Sequence, residues 1–257
     1  MEWINQLPAF LLIFVRILAF LATLPVFSYR NVPNLFKIAF ALFFAYIIFF
    51  TLDVGAIAID GTFFLLVIKE VLIGLLLGLV ASMMFYAIQV AGAFIDIKMG
   101  FLIANVMDPQ TGAQTPLTGG FLYAFAVLFL LVADGHHLLL DGIFYSYAYV
   151  PVEDVSFHFG RESVMETVAG AVATMFIIAF QMAFPIVGTL FLVDVALGMM
   201  SRAVPQMNVF VVGLPLKIFL GLPIMLLMLP AFFWLVSNLV DEMALTMRTL
   251  LQLLGGA

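Results

Sequence analysis

The sequence predicts an all-α integral membrane protein, and its composition, hydropathy and apolar run lengths all indicate that class. Hydrophobic residues make up 66% of the 257 residues and charged residues only 9%, whereas an ordinary soluble domain has about 25% charged residues. The mean hydropathy is +1.26, and several apolar runs reach the roughly 20 residues that a membrane helix needs. A soluble fold of this size cannot bury so much apolar surface, so we expect lipid or other apolar protein around most of the chain.

Charge and cysteine content exclude several function classes. The formal net charge is −6, which disfavours nucleic-acid binding, since phosphate contacts need clustered Lys and Arg. Cysteine is absent, which excludes disulfides, cysteine zinc sites, iron–sulfur clusters and thiol nucleophiles. Neither Lys nor Arg precedes the first apolar run, so we expect that run to be a retained membrane helix and not a cleaved signal peptide.

Six apolar regions follow one another and are predicted to be helical. They are residues 8–27, 35–52, 63–104, 121–133, 168–200 and 209–239. Pro8 suits the first turn of the first helix, and Pro185 is expected to kink or break the fifth. A helix over 63–104 would be roughly 60 Å long, about twice the hydrocarbon core, so it is broken, tilted or extends beyond the bilayer. An amphipathic tail follows at 241–254, and without a visible repeat or linker the prediction is a single domain over 1–257.

Two interruptions separate these regions. Residues 105–120 contain two prolines, three glycines and three threonines, a composition that forbids a regular helix. Residues 141–166 form the one extended polar region, inside an acidic stretch, 134–166.

The basic residues of the candidate turns predict an orientation. These residues are Arg30, Lys37, Lys98 and Arg202. Because cytoplasmic loops are enriched in Lys and Arg, we expect these turns in the cytoplasm, and the N-terminus and 134–166 on the opposite side of the membrane.

Small residues recur every fourth position on the third apolar region. Gly74, Gly78 and Ser82 form this row, and Glu70 extends it by one turn. Rows of this kind let helix backbones approach closely in apolar surroundings. The row predicts tight packing and assembly, and not chemistry.

Ionisable residues inside apolar runs are costly and are therefore candidates for function. They are Arg16, Lys69, Glu70, Asp96, Lys98, Asp194 and Lys217. A proton or ion relay in a transporter would use such groups, and two aspartates would also suit an intramembrane aspartyl protease, although neither has the Tyr-Asp or Gly-x-Gly-Asp setting of those enzymes. The preferred interpretation is structural pairing and snorkelling, with Lys69–Glu70 and Asp96–Lys98 neutralising each other locally.

Other motifs give little sign of enzyme chemistry. His136, His137 and Asp141 lack the spacing of a metal site and are expected in a solvated loop. The Gly-x-x-x-x-Gly-Lys pattern of a P-loop is absent, so we expect no nucleotide to bind in a P-loop. No cofactor is predicted.

The block 181–217 resembles the signature of the FliR/SctT family of type III secretion export-gate proteins. Its characteristic residues here are Asp194, Gly198, Arg202, Pro205, Asn208 and Lys217. Support comes from Arg16 with Pro25 and Pro33, from the Lys69–Gly78 segment, and from Ala91–Phe101 followed by Asp108-Pro109. Pro205 and Asn208 are expected to form a tight polar turn after a helix that ends near Arg202. Together with Glu70, Gly74, Gly78 and Asp96, these six residues are predicted to serve assembly and packing.

The resemblance implies long kinked helical hairpins, as a FliP-like unit joined to a FliQ-like unit. It also implies a non-enzymatic subunit of the flagellar export gate in the bacterial inner membrane and basal body, built with FliP and FliQ. FlhB and FlhA would be neighbours, membrane lipid would surround part of the gate, and unfolded flagellar proteins would be its cargo. A stand-alone polytopic ion-coupled transporter is the alternative.

The resemblance also gives the irregular 105–120 stretch a role as a plug inside the closed pore. Irregular backbone among apolar helices is tolerated where it is buried in protein or lines a cavity. The residues expected to form the plug are Asn105, Met107, Asp108, Pro109, Gln110, Thr115 and Pro116.

Overall fold

The computed structural model describes residues 2–24, 27, 32–52, 54–55, 57–101, 116–155, 162–206 and 208–256, with side chains from Gln6 onward. Seven α-helices occupy these ranges: α1 (Glu2–Thr23), α2 (Asn34–Thr51), α3 (Gly61–Met99), α4 (Leu117–Val132), α5 (Gly135–Tyr149), α6 (Glu162–Ala203) and α7 (Val209–Leu254). Neither a strand nor a bridge occurs among the residues described. The all-α prediction is confirmed.

Helix α5 is the main difference from the sequence prediction, because it occupies part of the stretch that was expected to be polar and non-helical. Its buried residues Leu139, Ile143 and Tyr147 recur every fourth position, which is the spacing of one helix face. The α4 and α5 helices are bent by 72° at their junction, where Asp134 has the left-handed φ of 56°. Charged and histidine residues between the apolar positions masked this helix in the hydropathy pattern.

Proline positions also differ from expectation. Pro8 lies inside α1 and not in its first turn, and α6 continues as one helix past Pro185. The α7 helix contains Pro215, Pro223 and Pro230 and includes the predicted tail without a break. Proline removes one helical hydrogen bond and crowds the preceding turn, but the surrounding apolar helix is long enough to continue on both sides.

Contacts divide the chain into two compact units, each assembled from separate segments. The first unit comprises Met1–Met84, Asp134–Val172 and Asp241–Ala257, and the second comprises Phe85–Ala133 and Ala173–Val240. The single domain over 1–257 stays a prediction.

The core of the first unit consists of side chains from four helices. Fully buried members include Phe20 of α1, Leu77 of α3, Ile143 of α5 and Leu250 of α7. The α1 and α2 helices meet edge to face through Phe10 and Phe49, whose ring centroids are 5.9 Å apart.

The core of the second unit lies among α3, α4, α6 and α7. Ile88, Ala126, Leu190 and Val236 are fully buried, one from each helix. Aromatic contacts join α3 to α4, where the Phe85 and Tyr123 ring centroids are 6.0 Å apart.

Five helices are long and apolar enough to cross a membrane, and a sixth span results if the bent pair α4–α5 counts as one. The number agrees with the six predicted apolar regions. Only 17% of the apolar window of α2, and 17% of that of α7, is buried within the chain. The protein is therefore a multi-pass membrane protein with large apolar helix faces that the chain itself leaves uncovered.

Candidate functional site

A buried ion pair joins α1 to α3 in the first unit. Arg16 and Glu70 are both fully buried, and the guanidinium makes two hydrogen bonds to the carboxylate, from Nε to Oε2 at 2.5 Å and from an NH2 nitrogen to Oε1 at 2.9 Å. Arg16 also donates to the Ser146 hydroxyl at 3.0 Å and the Val150 carbonyl at 2.9 Å. Its guanidinium carbon lies 4.2 Å from the centroid of the Tyr147 ring. Such complete pairing is what allows charges to be buried.

Lys69 fixes the chain that follows α5. Its ammonium donates to the carbonyls of Pro151, Val152 and Asp154 at 2.7, 3.1 and 2.8 Å, and it lies 3.0 Å from Glu70 Oε1. The predicted Lys69–Glu70 pair is therefore present, but the main partner of Glu70 is Arg16. Each ionisable group of this cluster has a partner, which favours a structural role over a relay.

The glycine row of α3 packs against the backbone of α1. A methyl group added at Gly74 would overlap the Arg16 carbonyl, and one added at Gly78 would overlap the Thr23 hydroxyl and the Phe20 carbonyl. The two helices therefore approach closely where the small residues lie, as the row predicts. Glu70, one turn earlier, reaches Arg16 from the same face.

Asp96 does not pair with Lys98, and this part of the sequence interpretation was wrong. The Asp96 carboxylate, 1% exposed, accepts the Thr118 N–H at 3.2 Å from each oxygen, and also accepts the Thr118 hydroxyl. Residues two apart on a helix point to different sides. Asp96 therefore faces the start of α4, and Lys98 faces elsewhere.

Asp194 and Lys217 come together in the second unit, and Lys98 joins them. Lys217 forms a close ion pair with Asp194, and the Lys98 ammonium lies 3.6 Å from the same carboxylate. The Lys98 ammonium also lies 5.7 Å from the Phe191 ring centroid. These side chains are 22–35% exposed, so one carboxylate is shared by two partly exposed cations.

The turn between α6 and α7 has the predicted layout. Arg202 lies in the last turn of α6, and Pro205 lies in the turn that follows. The Asn208 side-chain oxygen accepts the N–H groups of Phe210 and Val211 at 3.1 and 3.4 Å, which caps the start of α7. Gly198 has open space around it, with no atom within 4 Å of an added methyl group. The close packing expected at Gly198 is therefore not made within the described part of this chain.

Most of the predicted plug residues lie outside the described residues: Asn105, Met107, Asp108, Pro109, Gln110 and Thr115. Pro116 is described and immediately precedes α4.

Sequence reasoning missed the polar partners of the buried charges. Ser146 and Tyr147 receive Arg16, and Thr118 receives Asp96. Ser146 is fully buried, and its place on an otherwise apolar helix face is a signal for a buried polar partner. Thr118, just after Pro116, has the position of a helix-start residue.

The histidine pair begins α5 and is not in a loop, so that expectation was wrong. Ligand atoms of Asp134, His136 and His137 lie within 4.8 Å of one another, and Asp141 is not in this group. His137 Nδ1 is 3.5 Å from Asp134 Oδ1, and both side chains are more than half exposed. This group could hold a divalent cation, but its geometry is equally that of an exposed acid–histidine pair.

Comparison with known proteins agrees with the resemblance in the sequence. The model of a family described as bacterial export proteins, family 1, matches residues 7–243. The flagellar biosynthetic protein FliR of Bacillus subtilis (strain 168) is 52% identical over 253 residues, covering 98% of each chain. FliR of Pectobacterium carotovorum subsp. carotovorum is 32% identical over 234 residues, covering 89% of this chain and 86% of that one.

A relative with a different printed function is also similar. The Yop proteins translocation protein T of Yersinia pestis is 31% identical over 156 residues, covering 61% of this chain and 59% of that one. The family match and the FliR relatives extend over nearly the whole chain, far beyond any single motif. The chain therefore belongs to the FliR family of bacterial export proteins.

Proposed function

We propose that this chain is a non-enzymatic subunit of the flagellar type III export gate. With FliP and FliQ subunits it forms the inner-membrane channel of the basal body, next to FlhB and FlhA, through which unfolded flagellar proteins leave the cell. Family membership supports the export role. The observation that carries the subunit role is the uncovered apolar surface of α6 and α7.

That surface is larger than isolated exposed side chains would give. Phe210 is 90% exposed, Phe219 75% and Leu227 74% along α7, and Leu192 is 66% exposed on α6. Large exposed apolar patches mark lipid contact or protein interfaces. We propose that neighbouring gate subunits cover part of this surface and that lipid covers the rest.

Site-specific photocrosslinking tests this assignment. A photoreactive phenylalanine analogue at Phe219 or Phe210 is expected to form adducts with FliP or FliQ in cells. Val236, which is fully buried in the second unit, is the control position and is expected to give only internal crosslinks. Crosslinks to lipid alone at both exposed positions would contradict the subunit role.

We further propose that residues 105–120 hold the resting channel shut. A pore wide enough for an unfolded chain leaks ions unless protein fills it, and an irregular segment can leave the pore without breaking a helical hydrogen-bond ladder. Support comes from the composition of the segment and from the family resemblance. Helix α4 begins at Leu117, so the end of the proposed plug overlaps the first turn of that helix.

Replacement of residues 105–114 by a short Gly-Ser linker tests the plug. This change spares Pro116 and the start of α4. We expect the complex to assemble but the membrane to become permeable to small ions and metabolites, measured as leakage from cells or loaded vesicles. Linker replacement of the exposed 204–207 turn is the control. A fully assembled variant as tight as wild type would contradict the plug.

A further inference from the structure

Asp96 takes part in the end of one helix and the start of the next. Its carbonyl accepts the Gly100 N–H at 3.0 Å, where Gly100 has a φ of +87° and α3 ends. Its carboxylate accepts both the N–H and the hydroxyl of Thr118 in the first turn of α4. The two ends of the 102–115 segment therefore meet at a single residue.

Helix α4 depends on this contact because it lacks a side-chain cap of its own. Its N-cap residue is Pro116, which makes no capping hydrogen bond and has no side-chain acceptor to offer. The first N–H groups of any helix need partners from outside the helix, and a carboxylate at that end is favoured by the helix dipole. Asp96 supplies both from α3.

The backbones of α3 and α4 also touch beside this contact. A methyl group added at Gly92, one turn before Asp96, would overlap the Gly119 backbone. Thr118 and Gly119 are both buried. The hydrogen bonds of Asp96 therefore act across a close helix–helix contact from which water is excluded, where an acceptor is hard to replace.

We propose that Asp96 is a positioning residue of the channel, which holds the two ends of the 102–115 segment together as a hydrogen-bond acceptor and not as a proton carrier. This inference rests on the proposed function, in which that segment shuts the pore. The acceptor role makes a specific demand on chemistry. Both donors of Thr118 reach Oδ1 of Asp96, so an asparagine amide oxygen in that place can accept them, whereas a proton relay needs a group that titrates.

Asp96→Asn and Asp96→Ala therefore separate the two roles. In the detergent-purified complex, Asp96→Ala is expected to speed backbone hydrogen exchange at residues 117–120 about five-fold, the factor expected for a lost helix cap. In cells it is expected to raise ion leakage toward that of the 105–114 linker variant. Asp96→Asn is expected to stay within about two-fold of wild type in both measurements. An Asn variant that behaves like the Ala variant would overturn the acceptor role.

Thr118 provides a second pair of variants in case Asp96→Ala does not assemble. Thr118→Val removes the hydroxyl donor and is expected to leak and to exchange faster, while Thr118→Ser keeps the donor and is expected to match wild type. Equal behaviour of Val and Ser would overturn the proposal. An assembled Asp96→Ala complex with wild-type exchange would do the same.

The linker variant distinguishes the two possible failures. If it leaks and an assembled Asp96→Ala complex does not, Asp96 has no positioning role although the segment is the plug. If the linker variant does not leak, the plug itself is wrong, and the positioning role in pore closure is overturned with it. Hydrogen exchange at 117–120 then still reports whether Asp96 caps α4.

Discussion

Arg16 illustrates how this chain keeps charge inside apolar helices. Its guanidinium contacts the Glu70 carboxylate, the Ser146 hydroxyl, the Val150 carbonyl and the Tyr147 ring. A buried charge without a partner costs several kcal/mol, and the mutual attraction of a pair offsets that cost only when the remaining donors are also bonded. The completeness of this network indicates that the pair specifies how α1, α3 and α5 fit together.

Breaking the Arg16–Glu70 pair from one side should be more harmful than removing it completely. We expect Glu70→Met or Arg16→Met alone to lower the stability of the chain by about 3–5 kcal/mol, because each leaves an unpaired buried charge. The double variant is expected to recover part of that loss. The measurement is the thermal transition of the purified protein in detergent, and additive losses in the double variant would show that the two charges do not act as a pair.

At the scale of helices, the two groups of glycines serve different contacts. Gly74 and Gly78 lie against α1, whereas Gly198 lies in open space on α6. The chain's own packing therefore explains the α3 row. For Gly198 we keep the prediction from the family resemblance, that a neighbouring subunit approaches there.

Gly78→Leu and Gly198→Leu form a matched pair that tests this difference. Gly78→Leu is expected to disrupt α1–α3 packing and to reduce the amount of folded chain, since overpacking costs roughly 1–3 kcal/mol or more. Gly198→Leu is expected to leave the isolated chain stable but to lower its incorporation into the complex. Abundance in the membrane and co-purification of partners are the measurements. Normal co-purification of the Gly198 variant would contradict the role assigned to it.

The start of α3 gives a prediction about pH. Oδ1 of Asp60 accepts the Thr62 hydroxyl at 2.5 Å and the N–H groups of Thr62 and Phe63 at 2.9 and 3.2 Å. The hydroxyl bond, followed by the backbone N–H bonds, lowers the pKa of the exposed Asp60 carboxyl below its ordinary value of 3.8. Because the folded-state pKa is the lower one, the charged form stabilises the fold above pH 3.8, and this contribution is lost as the pH falls through the folded-state value.

Asp60→Ala should therefore lower the thermal transition of the purified protein at pH 7 and have a smaller effect at pH 3. The physical reason is that protonation has already weakened the cap of the wild-type chain at the lower pH. Thr51→Ala is a suitable control, since Thr51 is exposed at the end of α2 and its hydroxyl bonds only one turn back. An Asp60 effect that grows on acidification would show that the carboxylate is not the stabilising form.

The long apolar helices were predictable from the sequence, and the pairing of their charges was not. Hydropathy alone locates α2, α3, α6 and α7, because each holds a run longer than the bilayer requires. It misses α5, whose apolar residues are spaced at every fourth position among polar ones. The partners of Arg16 and Asp96 lie on other helices, and sequence spacing carries no information on such contacts. Neutralisation between near neighbours was therefore correct for Lys69–Glu70 and wrong for Asp96–Lys98.

At the scale of the whole molecule, the balance between buried charge and exposed apolar surface is the main feature. The ionisable residues in the helices are paired within each unit, while large aromatic and aliphatic side chains of α2, α6 and α7 remain uncovered. A stand-alone transporter would need titratable groups free to change partners, and the described clusters have their partners in place. The uncovered surface instead favours a chain that completes its packing in a larger assembly.

The mass of the complex purified in mild detergent tests this account most directly. A tagged copy of the chain expressed with its flagellar neighbours, and measured by native mass spectrometry, is expected to occur in a large hetero-oligomer that contains FliP and FliQ subunits. The Gly198→Leu variant, measured in parallel, is expected to shift toward the free chain. A monomer or homodimer as the only species of the wild-type chain, especially one that moves a small solute in liposomes, would contradict the export-gate function.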